Sequence, residues 1–290
     1  MGGADATIAA LPAIRDVVAA AGIAPRKSFG QHFLFDLNVA ARIARAAGDL
    51  SSGTVVEVGP GPGALTRGLL LAGAKRVVAI ERDARCVVAL QGLIQAAPGR
   101  LSVIEADARG RRLEDCGEPP VRVVANLPYG IASRLLVDWL PADAGVKGFT
   151  LMFQREVAQR ITAAPGTSAY GRLSVLVQWA ATARILFSIP PGVFVPPPQV
   201  HSAVVEIIPR RSTETDGPTV EDLRAVVRLA FGQRRKMLRS SLAALGDPEA
   251  LLAQAGIAAD RRAGELSVAE FARLAKALGQ RGVRYATSSR

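Results

Sequence analysis

From Thr54 onward the chain alternates short β-rich runs with helical stretches, a rhythm that few folds accommodate. Thr54–Val58, Arg76–Ile80, Leu101–Glu105, Val121–Ala125 and Gly148–Phe153 read as strands. They are nearly continuous in apolar residues, as strands covered on both faces must be. Helical stretches centred near residues 69, 90, 135 and 158 separate them and can carry the chain back across a sheet to a parallel partner. The expected class is therefore α/β, with a doubly wound, mostly parallel sheet. A helix at Leu173–Ala181 leads to two more strands, Arg184–Ile189 and Ser202–Ile208. The proline-rich loop Pro190–Pro198 between them is too short for a parallel crossover, so an antiparallel pair is expected at the sheet edge.

The flanks read differently. Residues 8–21 predict a short helix, Pro25–Leu34 a loop, and Asp36 the cap of a helix running to about Ala47. Pro209–Pro218 is polar and rich in breakers. Beyond it, Val220–Phe231, Arg234–Leu245, Pro248–Ala255 and Val268–Leu278 predict a small all-α domain. The sequence thus divides into an N-terminal arm (1–50), a sheet domain (51–210) and a helical domain (211–290).

Charge narrows the partners. A net charge of +11 over 290 residues favours a polyanion, with nucleic acid ahead of an anionic membrane. No basic amphipathic helix with a bulky aromatic face supports the membrane option, and no apolar run reaches the roughly 20 residues of a span. Met1–Leu11 carries Asp5 and no Lys or Arg, unlike a signal peptide, so a cytoplasmic protein is expected. Cys86 and Cys116 lack CxxC spacing and read as reduced structural thiols. With His32 and His201 the only histidines, neither a His-based metal site nor a Ser-His-Asp triad is expected.

Val55–Thr66 reads as a strand, a Gly59-Pro60-Gly61-Pro62-Gly63 turn and a helix start. Glu81 closes the next strand, where dinucleotide folds place an acid on ribose hydroxyls. That much permits a nicotinamide-dependent dehydrogenase. Pro60 and Pro62 argue against it, because neither has a backbone N–H to offer a pyrophosphate. S-adenosylmethionine carries no phosphate and fits the turn, with its methionine portion along Gly59 and Gly61, its ribose at Glu81 and its adenine amine at Asp107. Glu57, Glu81 and Asp107 all fall at or near successive strand carboxyl ends, where open α/β sheets bind ligands.

Asn126-Leu127-Pro128-Tyr129 follows the fourth of these strands. Taken alone it is also an ordinary strand-to-helix turn. Its chemistry suits a flat, amine-bearing base. The Asn126 carbonyl oxygen and a turn C=O can bond an exocyclic amine and draw its lone pair out of conjugation, while Tyr129 stacks on the base. In the helical domain Arg224, Arg228, Arg234, Arg235, Lys236 and Arg239 form a basic cluster suited to phosphates, which Arg26 and Lys27 can extend.

Phe29–Leu34, Glu57–Thr66, Glu81-Arg82-Asp83, Asp107-Ala108, Asn126–Tyr129, Phe153–Val157, Phe194–Val205 and Phe231–Leu242 together resemble the small-subunit ribosomal RNA adenine N6,N6-dimethyltransferase family, over nearly the whole chain. The resemblance implies a Rossmann-like class I methyltransferase sheet with a small helical C-terminal domain. It implies dimethylation of two adjacent adenines in a hairpin near the 3′ end of small-subunit rRNA, with the small ribosomal subunit as partner to a monomer. The family's cofactor contacts fall on His32, Leu34, Gly59, Glu81, Asp107 and Asn126. Its target-adenine pocket falls on Asn126, Leu127, Pro128 and Tyr129, with Phe194 as second aromatic. This chain departs from the family pattern at His32, where many members have Asn, and at Gln199 and His201, where Lys and Asp are frequent. The expected chemistry is direct transfer of a sulfonium methyl to N6, driven by positioning and desolvation, without metal or covalent intermediate. Two other readings stand beside it: the large-subunit adenine methyltransferases, which share the Asn-x-Pro-Tyr turn, and a non-catalytic assembly factor. The Gly-Pro-Gly-Pro-Gly turn and Phe231–Lys236 resemble the small-subunit type better.

Overall fold

The computed structural model describes residues 3–26, 30–140, 142, 145–210 and 217–281. Lys27 and Phe29, singled out above, and most of the predicted linker lie outside the described residues. The chain forms two compact units, residues 1–158 with 183–209, and residues 159–182 with 210–290.

The first unit opens with α1 (Gly3–Ala9) and α2 (Ile14–Ala20), where one helix over 8–21 was expected. Pro12 lies in the break between them and disfavours helical geometry at Leu11. The broken segment is tied down by side chains. Arg67 donates to the carbonyls of Ala9 (2.6 Å), Leu11 (3.0 Å) and Pro12 (2.9 Å), and Arg100 pairs with Asp5 at 2.9 Å. After the short strand β1 (Phe33–Leu34), Asp36 caps α3 (Leu37–Ala46) by accepting from the N–H groups of Asn38 and Val39.

The sheet elements follow as β2 (Thr54–Val58), α4 (Ala64–Leu71), β3 (Val77–Glu81), α5 (Ala84–Ala89), α6 (Gln91–Ala96), β4 (Leu101–Glu105), β5 (Val121–Ala125), α7 (Tyr129–Trp139) and β6 (Val146–Gln154). The predicted helix near residue 90 is thus two short ones, α5 and α6, meeting at Leu90. Past α8 (Arg155–Thr162) and α9 (Arg172–Ala180) the chain returns in β7 (Ala181–Ile189), β8 (Phe194–Val195) and β9 (Ser202–Pro209). The seven-stranded sheet runs β4-β3-β2-β5-β6-β9-β7, while β1 and β8 pair separately. Neighbours from β4 through β6 are parallel, and β9 runs antiparallel to β6. Every residue of β2 and β3 is buried, which explains their unbroken apolar character. From β2 the chain winds outward through β3 to β4, then turns back to β5 on the other side of β2. The crevice at that reversal lies over the carboxyl ends of β2, β3 and β5, the place where open α/β sheets bind ligands.

The second unit holds α9, α10 (Val220–Gly232), α11 (Leu238–Ser241), α12 (Pro248–Gln254) and α13 (Val268–Gln280). Its membership differs from the predicted 211–290, because residues 159–182 pack with it. Tyr170 explains the difference. Its ring is fully buried in the helical core against Phe231, and its hydroxyl donates to the Leu266 carbonyl at 2.9 Å. Described residues of the predicted N-terminal arm, by contrast, share one core with the sheet: Ile8, Leu34 and Ile43 pack in the same cluster as Val55 and Leu69. The predicted helix Arg234–Leu245 is mostly loop up to Met237, which pairs with Arg262 in an isolated bridge before α11 begins. That backbone pairing overrides helix propensity.

Candidate cofactor and target-base cleft

The glycine turn after β2 is built to a narrow tolerance. Gly59, Gly61 and Gly63 all adopt positive φ, and a Cβ on Gly61 would stand 3.0 Å from Cδ1 of Phe33. Every N–H in this turn has a partner within the protein. Gly59 donates to Ile80 O (2.9 Å), Gly61 to Glu81 Oε2 (3.0 Å) and Gly63 to Pro60 O (3.0 Å). Pro60 and Pro62 have none to give. The turn itself therefore offers a phosphate no donor.

Three carboxylates surround the turn, each in a different state. Glu81, 4 % exposed, also accepts the Asp83 N–H at 2.8 Å. Burial raises its pKa against those hydrogen bonds. Glu57, 1 % exposed, has an Oε2 with no partner. Burial pushes it up to about 8, the Thr66 hydroxyl pulling down and the Glu81 charge pushing further up. Asp107 is held down to about 2, first by the Arg109 side chain, whose Nη2 stands 2.6 Å from Oδ2.

The turn after β5 forms the opposite wall. Asn126 Nδ2 donates to the His32 carbonyl at 3.2 Å. A carbonyl only accepts, so the amide orientation follows and Oδ1 is the atom left to accept from another group. Tyr129, the first residue of α7, bonds Ser202 through its hydroxyl at 2.5 Å, and its ring stacks on the His32 ring with centroids 5.7 Å apart. His32 Nδ1 donates to Pro196 O at 2.8 Å, which fixes the ring's orientation. These walls bound an open cleft. It is lined by His32, Leu34, Gly59, Gly61, Glu81, Asp107, Asn126, Leu127, Pro128 and Tyr129, and also by Glu57 and Gln31.

The sequence model of the ribosomal RNA adenine dimethylase family matches residues 23–280. The chain is 54 % identical to the ribosomal RNA small subunit methyltransferase A of Azorhizobium caulinodans, covering 93 % of this chain and 94 % of that one. It is 52 % identical to the protein of the same name in Rhodospirillum rubrum, covering 94 % of each. Among solved structures, a dimethyladenosine transferase from Plasmodium falciparum superposes with a TM-score of 0.75 at 26 % identity, over 87 % of this chain and 99 % of that one. The 23S rRNA methyltransferase ErmE superposes at 0.63 with 27 % identity, over 86 % of this chain and all of the other. The chain belongs to the ribosomal RNA adenine dimethylase family.

As an adenine dimethylase it is a methyltransferase that uses S-adenosylmethionine, and its cleft fits that donor on its own chemistry. A turn without free N–H groups suits a ligand without phosphate. An unpartnered, buried carboxylate oxygen on Glu57 suits the positive charge of the donor's ammonium or sulfonium.

Two site residues stand elsewhere than expected. Phe194, read as a second aromatic beside the base, is 1 % exposed and does not line the cleft. It pairs opposite Leu34 in the β1–β8 ribbon and packs in the sheet core with Leu34, Ile189 and Val204. The ring stacked on Tyr129 is His32 instead. Arg234, read as a phosphate contact, directs its guanidinium to the carbonyls of Thr167 (3.0 Å) and Ser168 (2.9 Å), bracing a loop of its own unit. Arg228, Arg235, Lys236 and Arg239 are exposed, and Arg224 is half-buried. Ser202 and Gln31 were missed as individual residues, although both lie within motif segments that carry the family resemblance. Among the described residues no cluster of three or more His, Cys, Asp or Glu side chains is placed to hold a metal, and no helix is long and apolar enough to cross a membrane.

Proposed function

We propose that this adenine dimethylase methylates N6 of two adjacent adenines, twice each, in a hairpin near the 3′ end of small-subunit rRNA, acting as a cytoplasmic monomer on the small ribosomal subunit. The Asn126 amide carries the reading: its Nδ2 is engaged by His32 O, so Oδ1 accepts an N–H of the target amine. When bound, S-adenosylmethionine supplies an electrophilic sulfonium methyl. His32, Leu34, Gly59, Gly61, Glu81, Asp107 and Asn126 would hold it, and Glu57 would face its positive charge. A carbonyl of the Leu127-Pro128 turn takes the second N–H, which localises the lone pair on N6. The target base leaves its stack to enter the cleft, and the Tyr129 ring, fixed at its hydroxyl by Ser202, offers a replacement face. Holding the amine in line and excluding water supplies most of the acceleration. Arg224, Arg228, Arg235, Lys236 and Arg239 meet rRNA phosphates and fix register rather than sequence.

The test is to incubate the protein with a mixture of unmethylated small and large ribosomal subunits and methyl-labelled S-adenosylmethionine, then map the label. Two adjacent N6,N6-dimethyladenines in a 3′-terminal hairpin are expected. Label confined to large-subunit RNA would transfer the chain to the macrolide-resistance type of enzyme.

A further inference from the structure

The corner after β3 joins the glycine turn to the N-terminal wall of the cleft. On one side, the Asp83 N–H donates to Glu81 Oε1 and the Gly61 N–H to Glu81 Oε2, at 2.8 and 3.0 Å. On the other, the Asp83 carboxylate, 3 % exposed, accepts from Gln31 Nε2 at 3.0 Å and from Arg85 Nη2 at 2.6 Å. Both donors reach back to the same N-terminal stretch. Gln31 Oε1 accepts the Arg26 N–H at 2.9 Å, and Arg85 Nη1 donates to the Ala24 carbonyl at 3.1 Å. Gln31 and its neighbours Gly30, His32, Phe33 and Leu34 form one side of the cleft.

From this network we infer that Gln31 is a positioning residue, whose amide latches the N-terminal wall to the Glu81–Asp83 corner and so governs how long the cofactor stays bound. Only an amide of this length serves both ends of the latch, donating to the Asp83 carboxylate while accepting from a backbone N–H. A carboxylate at position 31 would face Asp83 with like charge. Alanine would remove the amide donor from Asp83 Oδ2, leaving it Arg85 alone, and would remove the Oε1 acceptor that the Arg26 N–H uses. The inference rests on the cleft being the cofactor's.

Titration calorimetry and stopped-flow dissociation of S-adenosylmethionine from the full chain test it, with wild type, Gln31→Ala, Gln31→Glu, Asp83→Asn and the Gln31→Ala/Asp83→Asn double variant. Asparagine keeps the cap on α5, and Gln31 is only half-buried, so each variant is expected to fold. Gln31→Ala should weaken cofactor binding about tenfold, the size of losing a hydrogen bond to a charged group, through faster dissociation. Gln31→Glu should be weaker still. The double variant should bind no worse than the poorer single one, because both substitutions open the same latch. In turnover, KM for the cofactor should rise while KM for RNA holds. Gln31→Ala binding within twofold of wild type, or losses that multiply in the double variant, would overturn the latch. Failure of the wild-type chain to bind S-adenosylmethionine would overturn the reading of the cleft itself.

Discussion

Replacing Glu57 with glutamine should abolish a pH dependence of stability that belongs to one buried carboxyl. In the folded chain its pKa lies near 8 instead of 4.5, because burial outweighs the Thr66 hydroxyl. A group whose folded pKa is raised stabilises the fold fully below its unfolded pKa and loses that contribution as pH rises through the folded value. The window for Glu57 therefore runs from about pH 4.5 to about pH 8. Each pH unit within it costs up to about 1.4 kcal/mol, so the whole window amounts to about 5 kcal/mol. Glutamine keeps the shape and cannot ionise. Urea unfolding of both proteins at pH 5, 6, 7 and 8, without cofactor, reads the effect. The stability of Glu57→Gln relative to wild type should climb by about 3 kcal/mol between pH 5 and pH 7. Contributions from Asp83 and Asp107 are common to both proteins and cancel in the difference, whereas Glu81, whose charge pushes Glu57 up, titrates together with it, so the difference reads the pair. A second readout uses the donor. A cation beside the free Oε2 favours the ionised carboxyl, so binding at pH 7 should release a proton in wild type and none in the variant. Calorimetry in buffers of different ionisation enthalpy measures it. A stability difference that stays flat from pH 5 to pH 8 would refute the argument that Glu57 is buried without a counter-charge.

Other substitutions separate the parts of the account. Gly61→Ala should lose cofactor binding and about 1 to 2 kcal/mol of stability, since its φ of 56° and the Phe33 ring 3.0 Å away both oppose a Cβ; calorimetry and a melting curve check it. Phe194→Ala should behave as a core truncation, costing about 3 to 5 kcal/mol in urea unfolding, rather than as the loss of a base-stacking ring. Replacing Arg235, Lys236 and Arg239 together by alanine should flatten the salt dependence of RNA binding by about two to three in log–log slope, measured by filter binding across salt concentrations.

Much of this architecture is legible in the sequence. Strands β2, β4 and β5 match the predicted spans end to end: β2 and β5 are buried almost throughout and read as apolar runs, while β4, a half-exposed edge strand, is carried by Leu101, Val103 and Ile104. The cleft is legible too, since Gly59, Glu81, Asp107 and Asn126 all lie at or just after strand carboxyl ends that the topology brings together. What escaped has a common cause, a partner distant in sequence. Phe194 is turned inward by its register opposite Leu34, and a short ribbon gives no alternation from which to read its facing. Arg234 looks like its basic neighbours until the carbonyls of Thr167 and Ser168 stand beside it. Residues 159–182 read as a continuation of the α/β rhythm, whereas Tyr170 anchors them to Leu266. Gln31 and Asp83 both lie in recognisable motifs, but 52 residues of chain separate them and spacing says nothing of their bond.

The measurement that bears most directly on the central claim is methyl transfer by Asn126→Ala to unmethylated small subunits, alongside its affinity for S-adenosylmethionine. If Asn126 Oδ1 holds the target amine, turnover should fall by at least about a hundredfold, while cofactor binding weakens but stays measurable. Methylation at the wild-type rate with cofactor bound would contradict the claim that this turn is the methyl-acceptor pocket.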